Sequence, residues 1–276
     1  MSDADGAAGG PTLRARPPAF PLLHEFVRRQ DAELPRGHAA RMLGRSPLQP
    51  HTVTGYRAAL GELEVVAALT QLGSGWTVLN AVPMAAAASD IDHVVIGPGG
   101  VFTVSVEHHP RERIWVRGGT LLAGGQTTPH VRDALREADR AARRLGAAAD
   151  APVTVTPVIV VIDAASITHL DSLVTVVRAS ELHRWLSRRP RVLLSAEVDR
   201  LSAVAERPLT WGDCPMTGET VDEAAVQSCE RFARLRAEVG RSRARARVWM
   251  GACSVATVAA VAAVAAFVGG LPADGI

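Results

Sequence analysis

Asp90 and Asp92 stand two positions apart at the head of an apolar run, in the stretch DIDHVVIGPGGVFTVSVEHH of residues 90–109. Side chains alternate along a strand, so the two aspartates share one face and Ile91 and His93 take the other. The same period groups Ser105, Glu107 and His109 on the strand that follows. Glu62 comes directly after Gly61 in a helix-periodic segment, where a small residue permits close packing on a sheet. A helix carboxylate, a strand aspartate and an acidic strand end offer hard oxygen ligands for Mg2+ or Mn2+. Such a site activates water and offsets charge on a phosphoryl group. Glu107 and His109 also form an acid-x-base pair. They lie two residues beyond Ser105, about 6.7 Å along a strand, so Asp92 could share a cation with them only across a bulge or slipped register.

The elements that must position these groups are legible from periodicity. Residues 53–72 predict an amphipathic helix carrying Glu62. Residues 76–82, 91–96 and 100–107 predict strands, the last two joined by the Gly97-Pro98-Gly99-Gly100 turn. A hairpin follows at 114–122 around Gly118-Gly119. Then come a charged helix at 129–147, a buried strand at 153–163, a strand at 172–178, and helices at 180–189 and 194–206. This order predicts an α/β domain over residues 53–211, with a mixed sheet flanked by helices. Residues 1–20 read as a disordered tail and 21–52 as a short helix and linker.

Composition narrows the chemistry. The net charge of +2 does not suit a protein that coats nucleic acid. All 30 basic residues are Arg, and the chain contains no Lys, so no step can use an ammonium group. Three cysteines without metal-ligand spacing predict a reducing compartment for the main body, and the polar start of the chain does not resemble a secretory signal. Arg132, Arg136, Arg140 and Arg143 alternate with Asp133, Glu137 and Asp139, the pattern of a solvated helix face. His169 and His183 have no partners at ligand spacing.

Residues 212–247 predict a connecting helix that leads into an uncharged run, 248–268. As a helix this run is about 31 Å long, enough for a hydrocarbon core of about 30 Å. Arg241, Arg243, Arg245 and Arg247 precede it, and residues 269–276 contain no basic group. The expectation is a single-pass transmembrane helix in the cell membrane, with the N-terminal domain cytoplasmic and a short external tail.

The runs GYRAALGELEVVAALTQL, GWTVLN and DIDHVVIGPGGVFTVS, with the Gly-Gly hairpin after them, resemble the nuclease-related domain (NERD). The versions attached to membrane segments in actinomycete-type bacteria are the most similar. The resemblance covers roughly residues 55–165, with a weaker tail to about 211. It implies a restriction-endonuclease-like core of the PD-(D/E)xK type, whose site uses a helix Glu, a strand Asp and an acid-x-Lys on the next strand. Glu62 and Asp92 match the first two. Ser105 stands where the second acid is expected, and Glu107 where the lysine is expected. The resemblance therefore implies a catalytically degenerate domain that acts at the membrane by binding nucleic acid or a protein partner. One alternative is an active metal-dependent endonuclease using Glu62, Asp92 and a shifted Glu107-x-His109. The other is a purely structural membrane protein for partner assembly.

Overall fold

The computed structural model describes residues 12–17, 19–32, 34, 36–84, 90–212 and 219–269. The chain forms two compact units. The first comprises Met1–Phe26 and Thr54–Cys229, and the second Val27–Val53 and Glu230–Ile276. The helices are α1 (Phe20–Asp31), α2 (His38–Met42), α3 (Val53–Leu69), α4 (His130–Ala149), α5 (Ala179–Ser187), α6 (Ser195–Ala205), α7 (Pro208–Trp211) and α8 (Glu219–Gly269). The strands are β1 (Thr77–Val82), β2 (Ile91–Gly97), β3 (Gly100–His108), β4 (Arg113–Gly118), β5 (Thr120–Ala123), β6 (Gln126–Thr128), β7 (Val155–Ile162), β8 (Ser166–Ser172) and β9 (Thr175–Arg178).

The larger unit is built on a five-stranded sheet of order β1-β2-β3-β7-β9. The first three strands are antiparallel neighbours; β7 and β9 add in parallel. Val, Ile and Leu occupy consecutive positions along much of β2 and β7, so both faces are apolar and each must be covered. On one face Val94, Ile96 and Val101 pack with Ala141 and Leu145 of α4 and Val198 and Leu201 of α6. On the other, Val95, Phe102, Val104 and Val160 pack with Val65, Ala68 and Leu69 of α3 and Leu182 and Leu186 of α5. The approach of α3 is close: a Cβ on Gly61 would lie 3.0 Å from Ile162 Cγ1.

A second sheet of order β6-β5-β4-β8 corrects the expectation of a single sheet. Strand β8 was not foreseen; its sequence SITHLDS has only two large aliphatics and little alternation. It pairs in parallel with β4. The expected disordered tail also needs correcting between Thr12 and Pro17. Leu13 is 1% exposed, and its N–H donates to the Glu206 carbonyl at 2.9 Å. The rest of that expected tail up to residue 11 lies outside the described residues.

In the smaller unit, the Gln30 amide donates to the Pro47 carbonyl at 3.1 Å and its carbonyl oxygen accepts from the Thr52 hydroxyl at 2.7 Å. Arg231 holds the Asp31 carboxylate, and Arg36 pairs with Glu238. The expected transmembrane helix at 248–268 is not found: among the described residues no helix is long and apolar enough to cross a membrane. The segment is helical, as α8. It stays helical through Gly269, and its side chains are described as far as Ala262. The side chains of 263–268, and the expected tail at 270–276, lie outside the described residues.

Candidate functional site

Every site residue expected from the sequence belongs to the larger unit. Strands β2 and β3 pair with His93 opposite Val104, so one antiparallel step further brings Asp92 level with Ser105. Both point to the face covered by α4. The Asp92 carboxylate accepts the Val106 backbone N–H at 2.8 Å, which fixes its orientation at the strand end. Glu62 comes from α3. Its carboxyl is pushed well above the ordinary range, first by burial and then by the negative charge of Asp92. Asp92 is raised as well. Burial is the main cause, the Val106 N–H opposes it, and Glu137, Glu107 and Asp90 add repulsion. Asp92 thus lies within electrostatic reach of Glu62.

Glu137 was not foreseen. The sequence places it among the alternating charges of α4, on a solvated face. In the structure Ser105 Oγ donates to Glu137 Oε2 at 2.8 Å, so a carboxylate from α4 stands over the strand position where the resemblance leads one to expect an acid. Burial raises its carboxyl, the Ser105 hydroxyl and the Arg140 guanidinium lower it, and Glu107 and Asp133 raise it again. A signal was available. The buried stripe of α4 runs through Val131, Ala134, Ala138, Ala141 and Leu145, and Glu137 occupies the same stripe, three residues after Ala134. Alanine is so weakly apolar that the stripe is faint beside the charges around it.

Glu107 and His109 do not join Asp92. Glu107 Oε1 lies 2.7 Å from His130 Nδ1, at the first residue of α4. His109 Nδ1 lies 3.0 Å from Glu112 Oε2, and its Nε2 lies 3.1 Å from His130 Nε2. His108, on the opposite face, is 3.0 Å from Asp163. The expected polar strand end is thus an ordered set of side chains, and His130 is the member the sequence did not reveal. It is seven residues before Glu137, on the same side of α4.

His93 serves the scaffold. Its ring is fully buried and Nδ1 donates to Asn80 Oδ1 at 3.0 Å. Nε2 has no hydrogen-bond partner. Burial lowers its pKa to about 4, so the ring is neutral at physiological pH.

Residues 57–162 match the family model of the nuclease-related domain (NERD). The match includes most of α3 and all of β2, β3 and α4, with Glu62, Asp92, Glu107, His109, His130 and Glu137. No curated protein matches the chain, and no solved structure does.

Proposed function

We propose that the nuclease-related domain holds a hard divalent cation, Mg2+ or Mn2+, between Glu62, Asp92 and Glu137, and hydrolyses a phosphodiester bond of nucleic acid. The observation that carries this reading is the arrival of Glu137 at Ser105, 2.8 Å from its hydroxyl, because it returns a carboxylate to the place the strand lacks. The donor set fits. Carboxylate oxygens are what Mg2+ and Mn2+ prefer, and the raised Glu62 and Asp92 carboxyls favour a compensating positive charge.

Each residue has a distinct part. Val106 N–H holds Asp92 in place, the Ser105 hydroxyl positions Glu137, and Gly61 brings α3 near enough to present Glu62. When bound, a divalent cation supplies countercharge for a phosphoryl group and lowers the pKa of water. Arg140, which already lowers the Glu137 carboxyl, adds fixed positive charge but stays protonated and cannot serve as a base.

The degenerate reading rests on Glu107, an anion in the place expected for the lysine, in a chain without lysine. In that reading the same fold binds nucleic acid or a protein partner without cleaving. Incubating the full chain with supercoiled plasmid and Mg2+ or Mn2+ separates the two. Hydrolysis requires nicking that disappears in Asp92→Ala and in EDTA. Retained DNA binding without nicking would establish the degenerate form.

Tethering to the cell membrane, with this domain on the cytoplasmic side, is supported by the uncharged run 248–268 and by Arg241, Arg243, Arg245 and Arg247 before it. Alkaline carbonate extraction should leave the chain in the membrane pellet; its release into the supernatant would end that reading.

A further inference from the structure

We propose that His109 and His130, with Glu107, form a second metal site, one that takes a borderline divalent ion such as Zn2+ and is separate from the carboxylate cluster. A carboxylate can only accept a hydrogen bond. Glu112 therefore requires a proton on His109 Nδ1, and Glu107 requires one on His130 Nδ1. Unless one ring takes a second proton, each carries its lone pair on Nε2, and the two lone pairs face each other at 3.1 Å. That arrangement is repulsive unless a cation lies between them.

The spacing suits a metal. Two nitrogens at about 2.0–2.1 Å from one tetrahedral Zn2+ are separated by about 3.3 Å. Donor atoms of Glu107, His109 and His130 all lie within 4.8 Å of one another, so Glu107 can add an oxygen to the two nitrogens. Imidazole with carboxylate selects Zn2+, Co2+ or Ni2+ over Mg2+. A carboxylate on the far ring nitrogen is also what orients histidine ligands in zinc proteins; here Glu112 does this for His109. The side chains of His109 and His130 are 14% and 17% exposed, which holds the rings yet leaves a route for an ion. Strand β3 and the start of α4 fix the two rings before any ion arrives, their planes 66° apart and centroids 5.1 Å apart.

The site does not depend on whether the carboxylate cluster cleaves anything, and its test reads binding alone. The metal-free full chain is titrated with Zn2+ in a calorimeter and with Co2+ by visible absorption. The expected result is one tight equivalent with a tetrahedral or five-coordinate Co2+ spectrum. It should be weakened at least 10-fold in His109→Ala and His130→Ala and retained in Asp92→Asn. Glu112→Gln, which keeps all three ligands, should weaken it by about 10–100-fold, as loss of such an outer partner does. Ring nitrogen shifts of His109 and His130 in the wild-type chain report the same event if an alanine variant fails to fold. Three results would overturn the proposal: no Zn2+ bound by the wild type, binding lost in Asp92→Asn but kept in the histidine variants, or ring shifts that follow pH and ignore Zn2+. The last would mean that a shared proton reconciles the rings.

Discussion

Two clusters lie one strand step apart on β3 and solve opposite electrostatic problems. Around Ser105 the side chains are alike: Glu62, Asp92 and Glu137 are acids, and burial raises them all, with added repulsion from neighbouring carboxylates. Around Glu107 and His109 the types alternate, and each imidazole meets a carboxylate through Nδ1. In the proposed reading the first set is satisfied by a hard cation that no side chain of the set provides. The second satisfies its Nδ1 atoms internally and leaves only the two Nε2 atoms in conflict. A like-charge cluster thus stores a demand for an ion, whereas a mixed cluster builds a scaffold around one.

The largest test of this contrast is Glu137→Gln. If α4 supplies a ligand, cation-dependent plasmid nicking should fall by more than the roughly 10–100-fold that an outer-shell partner costs. Ser105→Ala, which removes only the hydroxyl that positions Glu137, should fall within that range. Equal, small effects in both would return Glu137 to a structural role.

His93 provides the next largest effect and sharpens what burial does to each charge sign. Its folded pKa, about 4, lies below the ordinary value near 6.5. The unfolded chain therefore takes a proton first, so stability is complete above about pH 6.5 and declines as pH falls toward 4. The loss amounts to about 3 kcal/mol. Urea titrations across that window should show the decline in the wild type, with this component of the slope absent in His93→Asn. An unchanged slope would show that the ring is charged in the fold.

Glu62→Gln should stabilise the protein in EDTA at pH 7.5 by about 1–2 kcal/mol, since it removes a carboxyl that must take up a proton to be buried beside Asp92. The same variant should lose the stabilisation that the wild type gains from added Mn2+. Thermal melts with and without Mn2+ measure both signs. A destabilised variant in EDTA would show that the like-charge description of this cluster is wrong.

The smallest effect is a control on the outer face of α4. Arg143 and Asp139 form an i,i+4 pair with both side chains 64% exposed. Arg143→Ala should change stability by no more than about 0.5 kcal/mol and leave nicking intact. A large effect would mean that the two faces of α4 are not as different as Glu137 and Arg143 make them.

Much of this was legible in the sequence because it is local. Period two placed Asp92 and Ser105 on their strands, the Gly97–Gly100 turn set the hairpin, and the apolar run at 155–162 marked the central strand. Gly61 beside Glu62 signalled close packing, and Ile162 fills that contact. Strand β8 was missed because its residues lack alternation, and its partner β4 is about fifty positions earlier. Glu137 and His130 were missed because only alanines mark the buried stripe of α4, and alanine carries little hydrophobic signal.

By itself, the sequence determined most of the elements, that Glu62 and Asp92 are carboxylates on a helix and on a strand that meet at the sheet, and that no lysine can take part. Tertiary structure alone decided what completes the site. Packing α4 across β3 sets Glu137 on Ser105 and His130 between Glu107 and His109. Those contacts join residues 21–32 positions apart, a separation at which neither strand nor helix periodicity carries information. The physical reason is that burial on the sheet, and not local propensity, fixes which face of α4 turns inward.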